Sequence, residues 1–369
     1  PGAIFWMWLI AFLGMATIYA EAVLAQRTRQ KDASGAILGG PVYYITTAFR
    51  GRFGKFLAGF FAFAAVLALG FFGMMVQSNA IAATLNTAFG VPVVATGAVL
   101  VLISGAVFFG GVRRLASVTE KIVPIMAAVF LLGAVAVLIA RVRYLPEAFA
   151  MIFRYAFQPQ AIIGGAAGAA LKKAITQGAK RGLFSNEAGM GSTPHAHALA
   201  NVDKPHDQGV VAIVGLFIDT FVVLTLNALV IISTLYAGGG VLSGGARPEG
   251  IMSSNMAQKA FGAVFGEAFG NAFVAVCLFF FAYSTILGWN LFGRINSIYL
   301  FGRKSRNIYN LVSLLFIFLG TLTTSDMVWE LTDLFNQLMV LPNAVALFAL
   351  TGLVVESAQK NPDPPGGSK

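Results

Sequence analysis

The chain has 369 residues, of which 57% are hydrophobic and only 11% charged, a balance that excludes a water-soluble globule of this length and predicts an all-α, polytopic membrane bundle. A formal charge of +10 would suit nucleic acid, but the cations fall in short loops between apolar runs, where they set orientation in a bilayer. The single cysteine, Cys277, excludes a disulfide framework and a thiolate metal centre.

The first apolar run, near 3–25, follows Pro1-Gly2 without a basic region or cleavage site. It reads as neither a signal peptide nor a natural amino terminus, and further helices are expected upstream. Later runs able to cross about 30 Å of hydrocarbon, which takes roughly 20 helical residues, lie near 56–88, 92–110, 118–140, 208–236, 264–291, 307–322 and 328–355. One more crossing is required between 140 and 208. Its apolar stretch, AIIGGAAGAAL at 161–171, is too short to span alone, and Glu187 follows it. That crossing is expected to be discontinuous, giving nine in all.

Lys and Arg fix the orientation. Arg27, Arg29, Arg50, Arg52, Arg113, Arg114, Lys204, Arg294, Arg303, Lys304 and Arg306 gather on one side, while Arg141, Arg143, Arg154, Arg247 and Lys259 lie on the other. The first side is cytoplasmic by the positive-inside rule, so the first helix runs inward and the tail at 356–369 is cytoplasmic. This is a multi-pass protein of the cell membrane.

The segment GAKRGLFSNEAGMGSTPHAHA, 178–198, crowds glycines and hydrogen-bonding side chains into hydrocarbon. Irregular backbone at that depth is tolerated where it lines a cavity, so the binding site is sought here. Freed N–H groups at a half-helix start suit a carboxylate, and freed carbonyls suit an ammonium or a sodium ion. Gly189, Gly191 and Ser192 allow close approach to the main chain, while Ser185 and Asn186 supply directional groups. The competing reading of these glycines is helix packing.

Two acids stand inside the apolar runs. Asp219, about halfway along its run, divides between cation coupling and structural pairing. Glu187, near Lys180 and Arg181, is expected in a structural or gating ion pair. Glu21 and Asp333 lie nearer helix ends, where interfacial or packing roles are expected. His195 and His197 are two apart, a spacing that diverges on a helix, so they are read as polar side chains facing cytoplasmic water rather than metal ligands. Ser185 lacks a general base and a G-x-S-x-G elbow, which leaves no catalytic residue.

GGPVYY (39–44), VQSNAIA, GGVRRLA, RGLFSNEAGMGS, QGVVAIVGLFIDT (208–220), FAYSTILGW (281–289) and WELTDLFNQLMVLPN (329–343) occur in this order and resemble the alanine or glycine:cation symporter family. RGLFSNEAGMGS is the most specific of them, and the resemblance covers nearly the whole chain. It implies a leucine-transporter-type fold of two inverted five-helix repeats. Residues 1–140 would be the rest of the first repeat and 158–355 the second, within a transmembrane domain at 1–355. The first core helix, itself broken, would precede this chain and carry half of the site, so these 369 residues alone are expected to transport weakly or not at all.

The resemblance also implies that SNEAGMG is the unwound centre of a broken helix, with LKKAITQGAKRGLF outside it and STPHAHALAN inside. It places Gln77 among the substrate contacts and matches Phe281, Ser284 and Thr285 to a Na⁺ site. The local alternatives are an interhelical amide bond for Gln77 and Asn79, and hydroxyls bonded to their own helix for Ser284 and Thr285. Trp289 either closes the pocket against water or packs as core. Two departures stand out: Arg294 where the family carries an acid, which affects an inner gate, and Asn227 where it carries a threonine.

The expected function is Na⁺-coupled symport of a small neutral amino acid, alanine or glycine, by alternating access, with no cofactor beyond the coupling ion. A proton-coupled transporter of the same fold is the alternative. A channel lacks a repeated filter sequence, and a membrane enzyme lacks a catalytic constellation.

Overall fold

A computed structural model describes residues 1–31, 35, 37–110, 112–157, 167–244 and 248–359. Residues 161–166 of the short apolar stretch, Arg247 and the tail at 360–369 lie outside the described residues, as do the side chains of Arg113 and Arg114.

The chain is helical nearly throughout. Its elements are α1 (Ala3–Thr28), α2 (Pro41–Ala48), α3 (Gly51–Phe89), α4 (Val93–Phe108), α5 (Val112–Ala140), α6 (Leu145–Phe157), α7 (Ala167–Asn186) and α8 (Pro194–His197). After these come α9 (Pro205–Tyr236), α10 (Met256–Phe265), α11 (Glu267–Phe301), α12 (Ser305–Leu322), α13 (Ser325–Ala349) and α14 (Thr351–Gln359). A two-residue ribbon, Gln30–Lys31 against Ile37–Leu38, closes the α1–α2 connection.

Seven of these helices are long and apolar enough to cross a bilayer: α1, α3, the Val123–Ala140 part of α5, α9, α11, α12 and α13. In addition, α4 is a shorter apolar helix of 16 residues, and the interrupted α7–α8 lies between α5 and α9. The chain is a polytopic helical membrane protein. Large side chains such as Phe12, Phe56, Leu102, Leu132, Ile139 and Phe348 are exposed on the outside of the bundle, which is how helices meet lipid.

Three boundaries differ from expectation. The run placed at 264–291 starts later and continues to Phe301, because Gly266 separates it from the short α10 and the buried Arg294 does not end it. Arg294 is therefore inside α11, not in a loop. The run placed at 328–355 divides at Leu350 into α13 and α14. The amphipathic helices α2, α6 and α10 are additional; they are 8, 13 and 10 residues long, too short for a window tuned to membrane spans.

Two groups of helices pack most closely. In one, α1 lies along α7 and α9; in the other, α3 is surrounded by α11, α12 and α13, with α4 against α12. The largest buried cluster, including Phe61, Leu69, Tyr283, Leu287 and Trp289, belongs mainly to the second group and reaches the interrupted crossing through Met190.

Candidate functional site

The interrupted crossing loses its helical ladder after Asn186 and regains it at Pro194, a residue suited to the first helical position. Between them Gly189 and Gly191 have φ of +88° and +80°, and Glu187, a non-glycine, has φ of +57°. A Cβ on Gly191 would lie 2.7 Å from the Phe61 ring. Left-handed backbone at a non-glycine residue costs on the order of 1–3 kcal/mol and persists where surrounding contacts over-determine it. Those contacts are present at Glu187: its carboxylate accepts from the Ser192 hydroxyl and from Trp289 Nε1 at 2.8 Å.

On the other side of the break lies Glu21 of α1, fully buried. Its oxygens accept the backbone N–H of Gly189 at 3.0 Å and of Gly191 at 2.9 Å, together with Asn343 Nδ2 at 2.7 Å. Asn343 Nδ2 also donates to the Gly189 carbonyl at 2.9 Å, and the Tyr44 hydroxyl donates to Asn343 Oδ1. An interfacial place for Glu21 is thereby corrected. Seven residues from the end of α1, it is nevertheless at the centre of the bundle, because α1 runs beside the break. Sequence reasoning missed its role, as its partners lie 168, 170 and 322 residues away.

The last turn of α7 faces a cavity of about 350 Å³ lined by Phe130, Ser185, Asp219, Asn227, Cys277 and Phe281, among others. Ser185 Oγ donates to Asp219 Oδ2 at 2.9 Å, as does Thr220 Oγ1 at 3.0 Å. Asn186 Nδ2 reaches Thr220 Oγ1 at 3.4 Å, while its Oδ1 caps the Ala188 N–H at 3.1 Å. Asp219 stands within a π-helical stretch, Phe217–Leu224, where each turn is wider than in an α-helix. Its carboxylate has no Lys or Arg partner among the described residues.

On α11, where Phe281 lines the cavity and Ser284 and Thr285 do not, Ser284 Oγ and Thr285 Oγ1 both donate to the Phe281 carbonyl, at 2.9 and 3.0 Å. The three oxygens are thus brought together within one turn of α11. These bonds occupy the hydroxyl protons and leave lone pairs for a hard cation. Trp289, one turn beyond, is buried and meets Phe184 edge-on at 5.5 Å. Gln77 is half-buried on α3 and is not among the residues lining the cavity. Asn79 joins helices: its Nδ2 donates to the carbonyls of Gly320 at 3.0 Å and Thr323 at 2.7 Å.

The expected ion pair of Glu187 with Lys180 or Arg181 does not form. Both cations turn to Asp333 on α13, at 3.5 and 3.0 Å, and Arg181 also lies 3.9 Å above the Trp329 ring. The reason is local: Glu187 has left the helix that carries the two cations, and its left-handed backbone directs the carboxylate to Ser192 and Trp289.

His195 does not face water either. It is fully buried and stacked between Phe61 and Phe292, with Nδ1 on the Ser192 carbonyl at 2.7 Å and Nε2 beside Asn296 Nδ2 at 2.8 Å. Because the Asn296 amide donates, Nε2 accepts and Nδ1 carries the proton. His197 Nδ1 meets Gln208 at 2.8 Å. The inner helix is shorter than STPHAHALAN, a single turn at Pro194–His197. Side chains at the end of α1 and just after it take the carbonyls at and beyond the last residue of that turn: Gln26 donates to His197 and Ala200, and Arg29 to Ala198 and Ala200.

The model of the sodium:alanine symporter family matches residues 1–362. The sodium/alanine symporter AgcS of Methanococcus maripaludis is 39% identical over 361 residues, covering 97% of this chain and 77% of the relative. A putative sodium/proton-dependent alanine carrier, YrbD of Bacillus subtilis, is 38% identical over 362 residues, covering 95% and 72%. A probable sodium/glutamine symporter of the same organism, GlnT, is 36% identical over 358 residues, covering 96% and 70%.

Proposed function

The chain belongs to the sodium:alanine symporter family, and from its site we propose that it couples Na⁺ entry to uptake of a small neutral amino acid, alanine or glycine, by alternating access. At the coarser level it is a cation-coupled amino acid symporter and not an enzyme.

The observation that carries the finer reading is Asp219. A carboxylate at membrane depth is costly unless it meets a cation or a strong donor set. Here it borders a cavity, receives hydroxyl donors only, and has no protein cation among the described residues. Its counter-charge then comes from solution, as the ammonium of an amino acid or as Na⁺. The cavity, about 350 Å³, is at the small end of ligand pockets, which run from about 300 to 1,000 Å³.

In this reading Ser185 and Asn186 shape one wall and Trp289, through Glu187, closes the site. Phe281, Ser284 and Thr285 supply oxygen ligands to Na⁺. Gln77 and the glycines Gly189 and Gly191 complete the substrate set carried over by resemblance. The order helix, short helix, long helix, helix, helix occurs twice, from α1 to α5 and from α9 to α13. With a crossing between them these halves run in opposite directions, which supports two inverted repeats around the site.

The test is uptake of labelled alanine by the full-length protein in liposomes, driven separately by Na⁺ and by proton gradients. Uptake that follows the Na⁺ gradient and falls at least about tenfold in Asp219→Asn is expected. Uptake driven by protons alone replaces Na⁺ as the coupling ion, and transport of glutamine in preference to alanine overturns the substrate. Cys277, the sole cysteine of the 369 residues, lines the cavity. Alanine with Na⁺ is therefore expected to protect it from a small thiol reagent.

A further inference from the structure

We infer that Glu21 is a positioning residue for the binding site: a carboxylate carried by α1 captures the two amides released by the break and so holds the end of α7, with Ser185, at the cavity.

In an uninterrupted helix the N–H groups of Gly189 and Gly191 would donate to carbonyls four residues earlier. Here both residues are left-handed, and both N–H groups point to the same carboxylate, one to each oxygen. Alternate amides converging on one carboxylate, with the Met190 N–H between them turned to the Glu187 carbonyl, form a nest-like seat for an anion. The anion is supplied by the protein itself. Glu21 receives three N–H donors, so both of its oxygens act as acceptors. Asn343 then ties the carboxylate to the Gly189 carbonyl, and Tyr44 holds Asn343, so α1, α2 and α13 converge on two glycines.

The nest lies directly after the last turn of α7, whose Ser185 lines the cavity and donates to the Asp219 carboxylate, so holding the break also holds that turn in place. Without the Glu21 carboxylate the break samples other backbone arrangements, and apparent affinity falls by the fraction of time the competent one is populated.

The inference rests on the symport reading only for its transport measurement, so two measurements are made on the full-length protein. The first is hydrogen exchange of the peptide spanning 186–194 in Glu21→Gln, an isosteric change that keeps the packing volume. Exchange at the Gly189 and Gly191 amides is expected to rise by about tenfold or more while α7 is unchanged. The second is alanine uptake in liposomes. Its KM is expected to rise roughly tenfold with Vmax within about twofold, less in Asn343→Ser and least in Tyr44→Phe.

Unchanged exchange overturns the inference. Faster exchange with an unchanged KM also overturns it, since Glu21 would then be a structural tie alone. Should Glu21→Gln not accumulate, Asn343→Ser and Tyr44→Phe decide by the same two readouts. Wild-type protein that takes up no alanine removes the transport reading, and the exchange measurement still decides whether Glu21 holds the break.

Discussion

Two buried glutamates flank the same interruption, and they are held in different ways. Glu21 is fastened by backbone amides and by an asparagine that is itself anchored, so every donor is fixed by main chain or by a second contact. Glu187 is held by two side chains, the hydroxyl of Ser192 and the indole of Trp289, the second belonging to the other packing group of helices. One side of the break is a fixed seat; the other is a contact between bodies that side-chain rotation alone can undo. A transporter needs both, a seat that keeps its shape and a closure that opens.

The largest expected effect comes from disturbing the seat. In Gly191→Ala the new Cβ meets the Phe61 ring and the backbone must keep φ of +80°, which together cost about 3 kcal/mol. The midpoint of thermal unfolding in detergent is expected to fall clearly, and an unchanged midpoint would break the contrast.

On the closing side, Glu187→Gln and Trp289→Phe each remove or weaken a charge-assisted hydrogen bond worth about 1.5–3 kcal/mol. Folded yield should be nearly retained and the uptake rate reduced roughly tenfold. The double variant should be no slower than the worse single one, because both changes remove the same contact. Additive losses would mean that the two residues act separately.

The smallest effect is expected in Asp333→Asn. Its partners Lys180 and Arg181 have side chains 36% and 31% exposed, and pairs of that kind contribute about 0–1 kcal/mol. Uptake within about twofold of wild type is the expected outcome. A larger loss would move control of the site from Glu187 to the outer ion pair.

The crossings and the place of the interruption were legible because both are local: hydropathy is read in windows, and SNEAGMG is dense in glycine. Ser185, Asp219 and Phe281 were legible as polar or motif positions, though their meeting at one cavity was not. What escaped was pairing across the fold. Glu21 bonds residues 168 and 170 positions later, and Arg181 pairs 152 positions later. Nothing in the spacing announces either. Helices α2, α6 and α10 were invisible for a different reason, since amphipathic pieces this short leave no membrane-length signal.

The widened turn at Phe217–Leu224 has a consequence for register. Asp219 and Asn227 are eight positions apart and both line the cavity. At about 100° per residue an ordinary helix would leave them about 80° out of line, and one surplus residue cancels most of that difference. Deleting a single residue there would restore the ordinary pitch and turn Asp219 and Asn227 about 80° out of line, so that the two no longer face the same charged guest together. The site's polarity is in this sense an insertion, one amino acid long.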